Sequence, residues 1–247
     1  ILAQQLDHYG HGRAIWNPEP MDGDVYVGDV GYFDEDGAFH RMFNVTVDAG
    51  HPINSEGVPK NFTPLRFNPR LLQIKPNHFN PMPFCSRSVR SYRVDAHAGA
   101  YLAYSYECTT SEGALLVLRD HADKTLVVPS TDIEQYISQF HDSWVVFARE
   151  VEKLSCDHED IVMVRATVKT SAWTVAAFKQ PGTRIADFEL GAQVGSVLDM
   201  GIAGSSSVVE VGTFEFRTGP AAAGALSESA KPRNQSVFIG CYRVKRR

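Results

Sequence analysis

Residues 184–204, RIADFELGAQVGSVLDMGIAG, alternate between apolar and polar side chains for much longer than an ordinary strand requires. From Ala186 to Ile202 the even positions read Ala, Phe, Leu, Ala, Val, Ser, Leu, Met, Ile, and the odd ones Asp, Glu, Gly, Gln, Gly, Val, Asp, Gly. A period of two marks a β-strand with one apolar and one polar face, yet a typical strand has only ~5–6 residues. Two more segments behave alike. In 91–109, Tyr92, Val94, Leu102, Tyr104, Tyr106 and Cys108 fall on one side. In 160–178, Val162, Val164, Val168 and Phe178 are in phase. Ribbons of this kind either fold back over a core or find another apolar medium.

The rest of the chain sets the frame. At 247 residues it can bury a real core as one domain, 1–247. A hydrophobic share of 43% and a charged share of 21% are those of a folded protein. A net charge of −5 gives no reason to expect nucleic acid. Cys85, Cys108, Cys156 and Cys241 are scattered without a C-x-x-C pair, which favours reduced thiols and an intracellular setting. No signal peptide or apolar run of the ~20 residues of a spanning helix is found. The N-x-S/T sequons at Asn44, Asn61 and Asn234 read as chance.

Along the chain, residues 1–9 suit a short helix ended by the glycines of GHG, and 24–47 read as a hairpin turning at Asp36-Gly37. Residues 48–86 carry seven prolines, at 52, 59, 64, 69, 76, 81 and 83, and read as a long irregular excursion. GALLVL (113–118) reads as the partner strand of 91–109 after a turn at 111–113. The stripe Ile133, Tyr136, Ile137, Phe140, Trp144, Phe147, Val151, with a capping box at Thr131 and Glu134, predicts one long helix over 131–151. A small-residue linker, 218–235, precedes the closing strand SVFIGCYRV and the basic end KRR. The fold class is α+β: a twisted, mostly antiparallel sheet with long amphipathic strands, one long helix and short helices.

Catalytic patterns are not found. His8 and His11 form H-x-x-H without the glutamate or third ligand of a zinc helix. DEDG (34–37) lacks the later acids of a calcium loop. G-x-S-x-G, P-loop and G-x-G-x-x-G signatures are missing. Cys108, on an apolar face, reads as a packed thiol, and His158 beside Asp157 and Asp160 as a solvated loop histidine. The expectation is a protein that is not an enzyme and has no cofactor or metal site. A soluble β-rich ligand-binding or lectin-like module, with Tyr101, Tyr104 and Tyr106 lining a small-molecule site, is the alternative.

A membrane strand needs about 9–11 tilted residues, apolar outward and polar inward. Each of the three alternating segments exceeds that length. The segments VGDVGYFDEDGAFHRMFNV, helix 131–151, DIVMVRATVKTSAWTVAAF and SVFIGCYRV, in that order, resemble the pore-forming domain of the gasdermins, especially the short fungal gasdermin-like cell-death proteins. Two features depart from that family. The chain has no room for a C-terminal repressor domain, and residues 1–12 contain no Lys or Arg.

The resemblance implies a cytoplasmic protein that moves to the plasma membrane in regulated cell death. It would bind acidic phospholipid and permeabilise the membrane as a homo-oligomer, or as a hetero-oligomer with a related variant. Lipid contact then falls to Arg13, Arg87, Arg90, Arg93, Lys245, Arg246 and Arg247. The membrane face falls to Tyr92, Val94, Leu102, Tyr104, Val162, Val164, Val168, Phe188, Leu190, Val194, Leu198, Met200 and Ile202.

Overall fold

The helical stripe forms as the periodicity predicts. Helix α2, Thr131–Glu150, buries Ile133, Ile137, Trp144, Val145 and Phe147. The expected capping box does not form, because the N-cap is Ser130, whose side chain makes no capping hydrogen bond. Asp132 and Glu134 in the first turn and Arg149 in the last complement the helix dipole. Val151, expected on the buried stripe, is the C-cap and 54% exposed.

These elements belong to a computed structural model that describes residues 1–95, 102–180, 184–189, 209–211, 214–220 and 232–245. At its start α1, Leu2–Leu6, runs into a 3-10 turn, Asp7–Tyr9, closed by Gly10 at φ 68. The strands are β1 (Arg13–Ala14), β2 (Asp29–Phe33), β3 (Phe39–Asn44), β4 (Leu72–Phe79), β5 (Met82–Cys85), β6 (Val89–Asp95), β7 (Leu102–Cys108) and β8 (Gly113–Leu118). They continue with β9 (Ala122–Val127), β10 (Val162–Thr170), β11 (Trp173–Phe178), β12 (Arg184–Glu189), β13 (Val209–Val211), β14 (Phe214–Gly219) and β15 (Gln235–Arg243). Every strand pairing is antiparallel, so the α+β class stands, but the strands form three sheets rather than one.

The seven-stranded sheet runs β1-β15-β10-β2-β3, with β9 also on β10 and β4 on β9. Against it α2 packs a core of Val30, Phe43, Trp144, Phe147 and Met163. The β2–β3 hairpin turns where expected. Gly37 has φ 78, and Ala38 N donates to Asp34 Oδ1 at 2.8 Å. A buried polar node ties the 48–66 excursion to it. Asp29 accepts from Tyr26 N and from Asn44 Nδ2, both at 2.7 Å, while Asn44 N donates to Asn54 Oδ1 at 2.7 Å. The Asn44 sequon is buried.

The proline-rich stretch is more regular than its composition predicts. It contains two 3-10 turns, Pro52–Asn54 and Pro69–Leu71, and then β4 and β5. Among the described residues β4 pairs only with β9, and Pro76 falls where the register breaks between Lys75 and Phe79. An edge strand tolerates proline there because the missing N–H faces no neighbour.

The long alternating segments are also rearranged. Residues 91–109 do not make one strand. β6 and β7 pair with each other from Val89↔Cys108 to Asp95↔Leu102, always an even position with an odd one, so a single apolar side does not persist through the segment. β8 is not the partner of β7 but its continuation. Residues 160–178 divide at Ser171-Ala172 between the seven-stranded sheet (β10) and the five-stranded sheet β13-β14-β11-β8-β5 (β11). The 184–204 segment contributes β12 to the three-stranded sheet β12-β7-β6, with a register break between Ile185 and Phe188. Residues 190–208 and most of the 218–235 linker lie outside the described residues.

Candidate functional site

The two smaller sheets are one ribbon, interrupted once. β5 pairs with β8 and then β6 with β7, while β11 pairs with β8 and then β12 with β7. β5 then β6, β8 with β7, and β11 then β12 therefore run side by side, and regular pairing lapses at 86–88 and at 109–112.

At this seam hydroxyls add to the backbone hydrogen bonds that Ser86 N gives to Ala114 O and Thr109 N to Ser88 O. Ala114 N donates to Ser86 Oγ at 3.0 Å, and Thr109 Oγ1 donates to Ser88 O at 2.9 Å. Gly113 sits where a Cβ would stand 2.8 Å from both Cys108 Sγ and Val89 Cγ2. Lys179 and Glu215 form an ion pair beside it.

On the five-stranded side of the seam, β8 and β11 are buried at every position. On the other side Tyr92 is 43% exposed and donates to Glu107 Oε2 at 3.1 Å, while Val89, Tyr106 and Cys108 close the core next to the seam. The Cys108 thiol donates to Thr110 O at 3.2 Å, and burial raises its pKa, as expected of a packed thiol.

The expected membrane-facing residues are therefore in different settings. Tyr92 is exposed on β6. Val94 lies in β6, Leu102 and Tyr104 in β7 and Phe188 in β12, on strands of the three-stranded sheet. Val162, Val164 and Val168 are core residues of the seven-stranded sheet in this conformation. Leu190, Val194, Leu198, Met200 and Ile202 lie outside the described residues.

The basic residues divide too. Arg13 is half-buried with its guanidinium 4.7 Å above the Phe33 ring, and its pKa is lowered by burial and then by Arg243. Arg87 and Arg90 are exposed at the seam and on β6, with Arg90 opposite Glu107. Arg93 lies in β6, Lys245 is exposed after β15, and Arg246 and Arg247 lie outside the described residues.

A second basic face was not legible in the sequence. Lys75 on β4 stands directly opposite Lys124 on β9, and His11 Nδ1 lies 3.4 Å from Lys124 Nζ. Burial, then Lys75 and Arg165, lowers the Lys124 pKa. Burial, then the neighbouring cations, lowers those of His11 and His78. Like charges directly opposite in a sheet destabilise it, so this face is one an anion would relieve. Strand β4, which presents Lys75, was itself concealed by Pro76.

The two histidines of H-x-x-H lie in different settings. His8 lies against Tyr9, whereas His11 packs edge-on against Phe79, Phe84 and Phe238. His158, read as a solvated loop residue, instead faces Asp142 of α2. No family model, no curated protein and no solved structure matches the chain.

Proposed function

We propose that this chain binds acidic phospholipid membranes and assembles, alone or with a related variant, into a β-barrel pore of the gasdermin type that permeabilises the plasma membrane in regulated cell death. The observation that carries the reading is the interrupted ribbon. Its central strands run from β8 and β11, buried at every position, into a three-stranded sheet whose outer strand exposes Tyr92. β7 and β8 together cover 102–118, more than the ~9–11 residues that a tilted membrane strand uses. No helix among the described residues is long and apolar enough to cross a bilayer.

The reading assigns insertion to the β6–β7 and β12 side of the seam, with the β10 valines remaining in the body. Lipid attraction is assigned to Arg87 and Arg90 near the seam and to the Lys75–Lys124 face, since each Lys or Arg near an anionic surface contributes ~1 kcal/mol.

Dye release from liposomes tests the reading. Leakage is expected with phosphatidylserine-containing vesicles, falling as salt rises, and not with purely zwitterionic ones. Leu198→Arg, on the apolar positions of the 184–204 segment, is expected to suppress it, because a cation facing lipid near the midplane costs ~2–4 kcal/mol. Asp199→Asn is expected to be tolerated. A folded Leu198→Arg protein that leaks like the parent would refute insertion of that stretch and favour a soluble ligand-binding module.

A further inference from the structure

Helix α2 and the connection that follows it bring two histidines and a carboxylate together. His141 is buried on the inner side of α2. Asp142 follows it with its side chain 76% exposed, and His158 folds back from the 151–161 connection. One ligand-competent atom from each residue lies within 4.8 Å of the other two, and His158 Nδ1 stands 3.4 Å from Asp142 Oδ1. Two donors sharing a tetrahedral ion through bonds of ~2.0–2.1 Å stand about 3.3–3.4 Å apart. That edge already has the required length. The others close by rotation of the surface carboxylate and the loop-borne imidazole.

The tautomer of the buried ring also suits a metal. His141 Nε2 lies 3.1 Å from Ile161 O. A carbonyl only accepts, so Nε2 carries the proton and donates, and Nδ1 keeps the lone pair. An imidazole whose second nitrogen donates to a backbone carbonyl has its orientation fixed and its basicity raised, as in protein metal sites generally. Trp144, 5.6 Å away, and His158, 5.7 Å away, pack against the ring.

We propose that His141, Asp142 and His158 bind a divalent transition-metal ion of the zinc class, open to solvent on the Asp142 side, which fastens the 151–161 connection to α2. Two imidazoles and one carboxylate suit Zn²⁺ or Co²⁺, whereas Ca²⁺ and Mg²⁺ take oxygen donors. The site does not depend on the pore reading.

Calorimetric titration of the chelator-treated full chain with ZnCl₂ is expected to show one ion bound per chain at micromolar or tighter affinity, and titration with CaCl₂ none. CoCl₂ is expected to give visible absorption bands and to quench Trp144 fluorescence. Asp142→Asn and His158→Ala are each expected to weaken zinc binding at least tenfold, since losing even an outer-shell partner of a ligand costs ~10–100-fold. His8→Ala, in the other histidine pair, is expected to leave it unchanged. No zinc binding by the parent, or parent-strength binding in either ligand variant, overturns the proposal. Asp142 is at the surface, so its variant keeps the test valid should His158→Ala fail to fold.

Discussion

The five-stranded and three-stranded sheets share one ribbon, interrupted at the seam, yet their sequences differ in kind. β8 and β11, GALLVL and WTVAAF, are apolar at nearly every position and buried on both faces. β6 and β7, VRSYRVD and LAYSYEC, alternate, and Tyr92 is open to solvent. Strands covered on both sides read as continuous apolar runs, whereas half-covered ones alternate. The seam at 86–88 and 109–112 marks where one rule gives way to the other.

The largest expected contrast is between an aromatic from each sheet. Trp173 is fully buried, stacked on Gly219 and donating Nε1 to Gln235 at 3.2 Å. Trp173→Ala is expected to cost ~3–5 kcal/mol in urea unfolding, against about 0.5 kcal/mol or less for exposed Tyr92→Ala. Equal costs would break the comparison.

A second contrast is in pH. Burial lifts the Asp29 carboxyl from 3.8 to about 6, outweighing its hydrogen bonds from Tyr26 and Asn44 and the Arg41 charge 3.6 Å away. The folded state then holds the proton more tightly than the unfolded one. Stability from this group is full below pH ~4 and is lost as pH rises through about 6, by on the order of 3 kcal/mol. Urea midpoints of the parent and of Asp29→Asn across pH 4–7 should diverge accordingly. Parallel profiles would show that Asp29 titrates normally.

At the seam itself, Gly113→Ala presses a methyl group onto Cys108 and Val89. It is expected to cost ~1–3 kcal/mol, measured by thermal unfolding. A neutral result would show that the seam yields readily. The smallest effect is expected at the opposed lysines. Lys75→Gln should add ~0.2–1 kcal/mol of stability at low salt and nothing at high salt, while weakening sedimentation with anionic vesicles.

Alternation reported that residues 91–109 and 160–189 are strands with two faces, but it does not register chain reversal or a change of sheet. The β6–β7 connection, residues 96–101, carries no Asn-Gly or Asp-Gly signal, so a hairpin read as one strand. Helix α2 was legible almost to the residue because its stripe sums over five turns, while Ser130 displaced Thr131 as the cap. β4 was not legible, because proline counts against a strand unless the strand is known to lie at an edge. The Lys75–Lys124 and His141–His158 encounters arise from sheet register and loop packing, and local sequence holds no trace of them. His158 was read from its neighbours, whereas its partner is Asp142.

The placement of the prolines also gives the molecule a direction of growth. β4 and β5, each bordered by one strand among the described residues, carry Pro76 and Pro83, and Lys75 adds charge. Such strands make poor templates for an incoming chain. β6, likewise bordered by one strand among the described residues, contains no proline. A second copy adding a strand would therefore meet less obstruction at β6 than at β4 or β5. In an assembled state, Ser91→Cys is expected to cross-link between chains and Ile74→Cys is not. The reverse outcome would place the growing edge on the seven-stranded sheet.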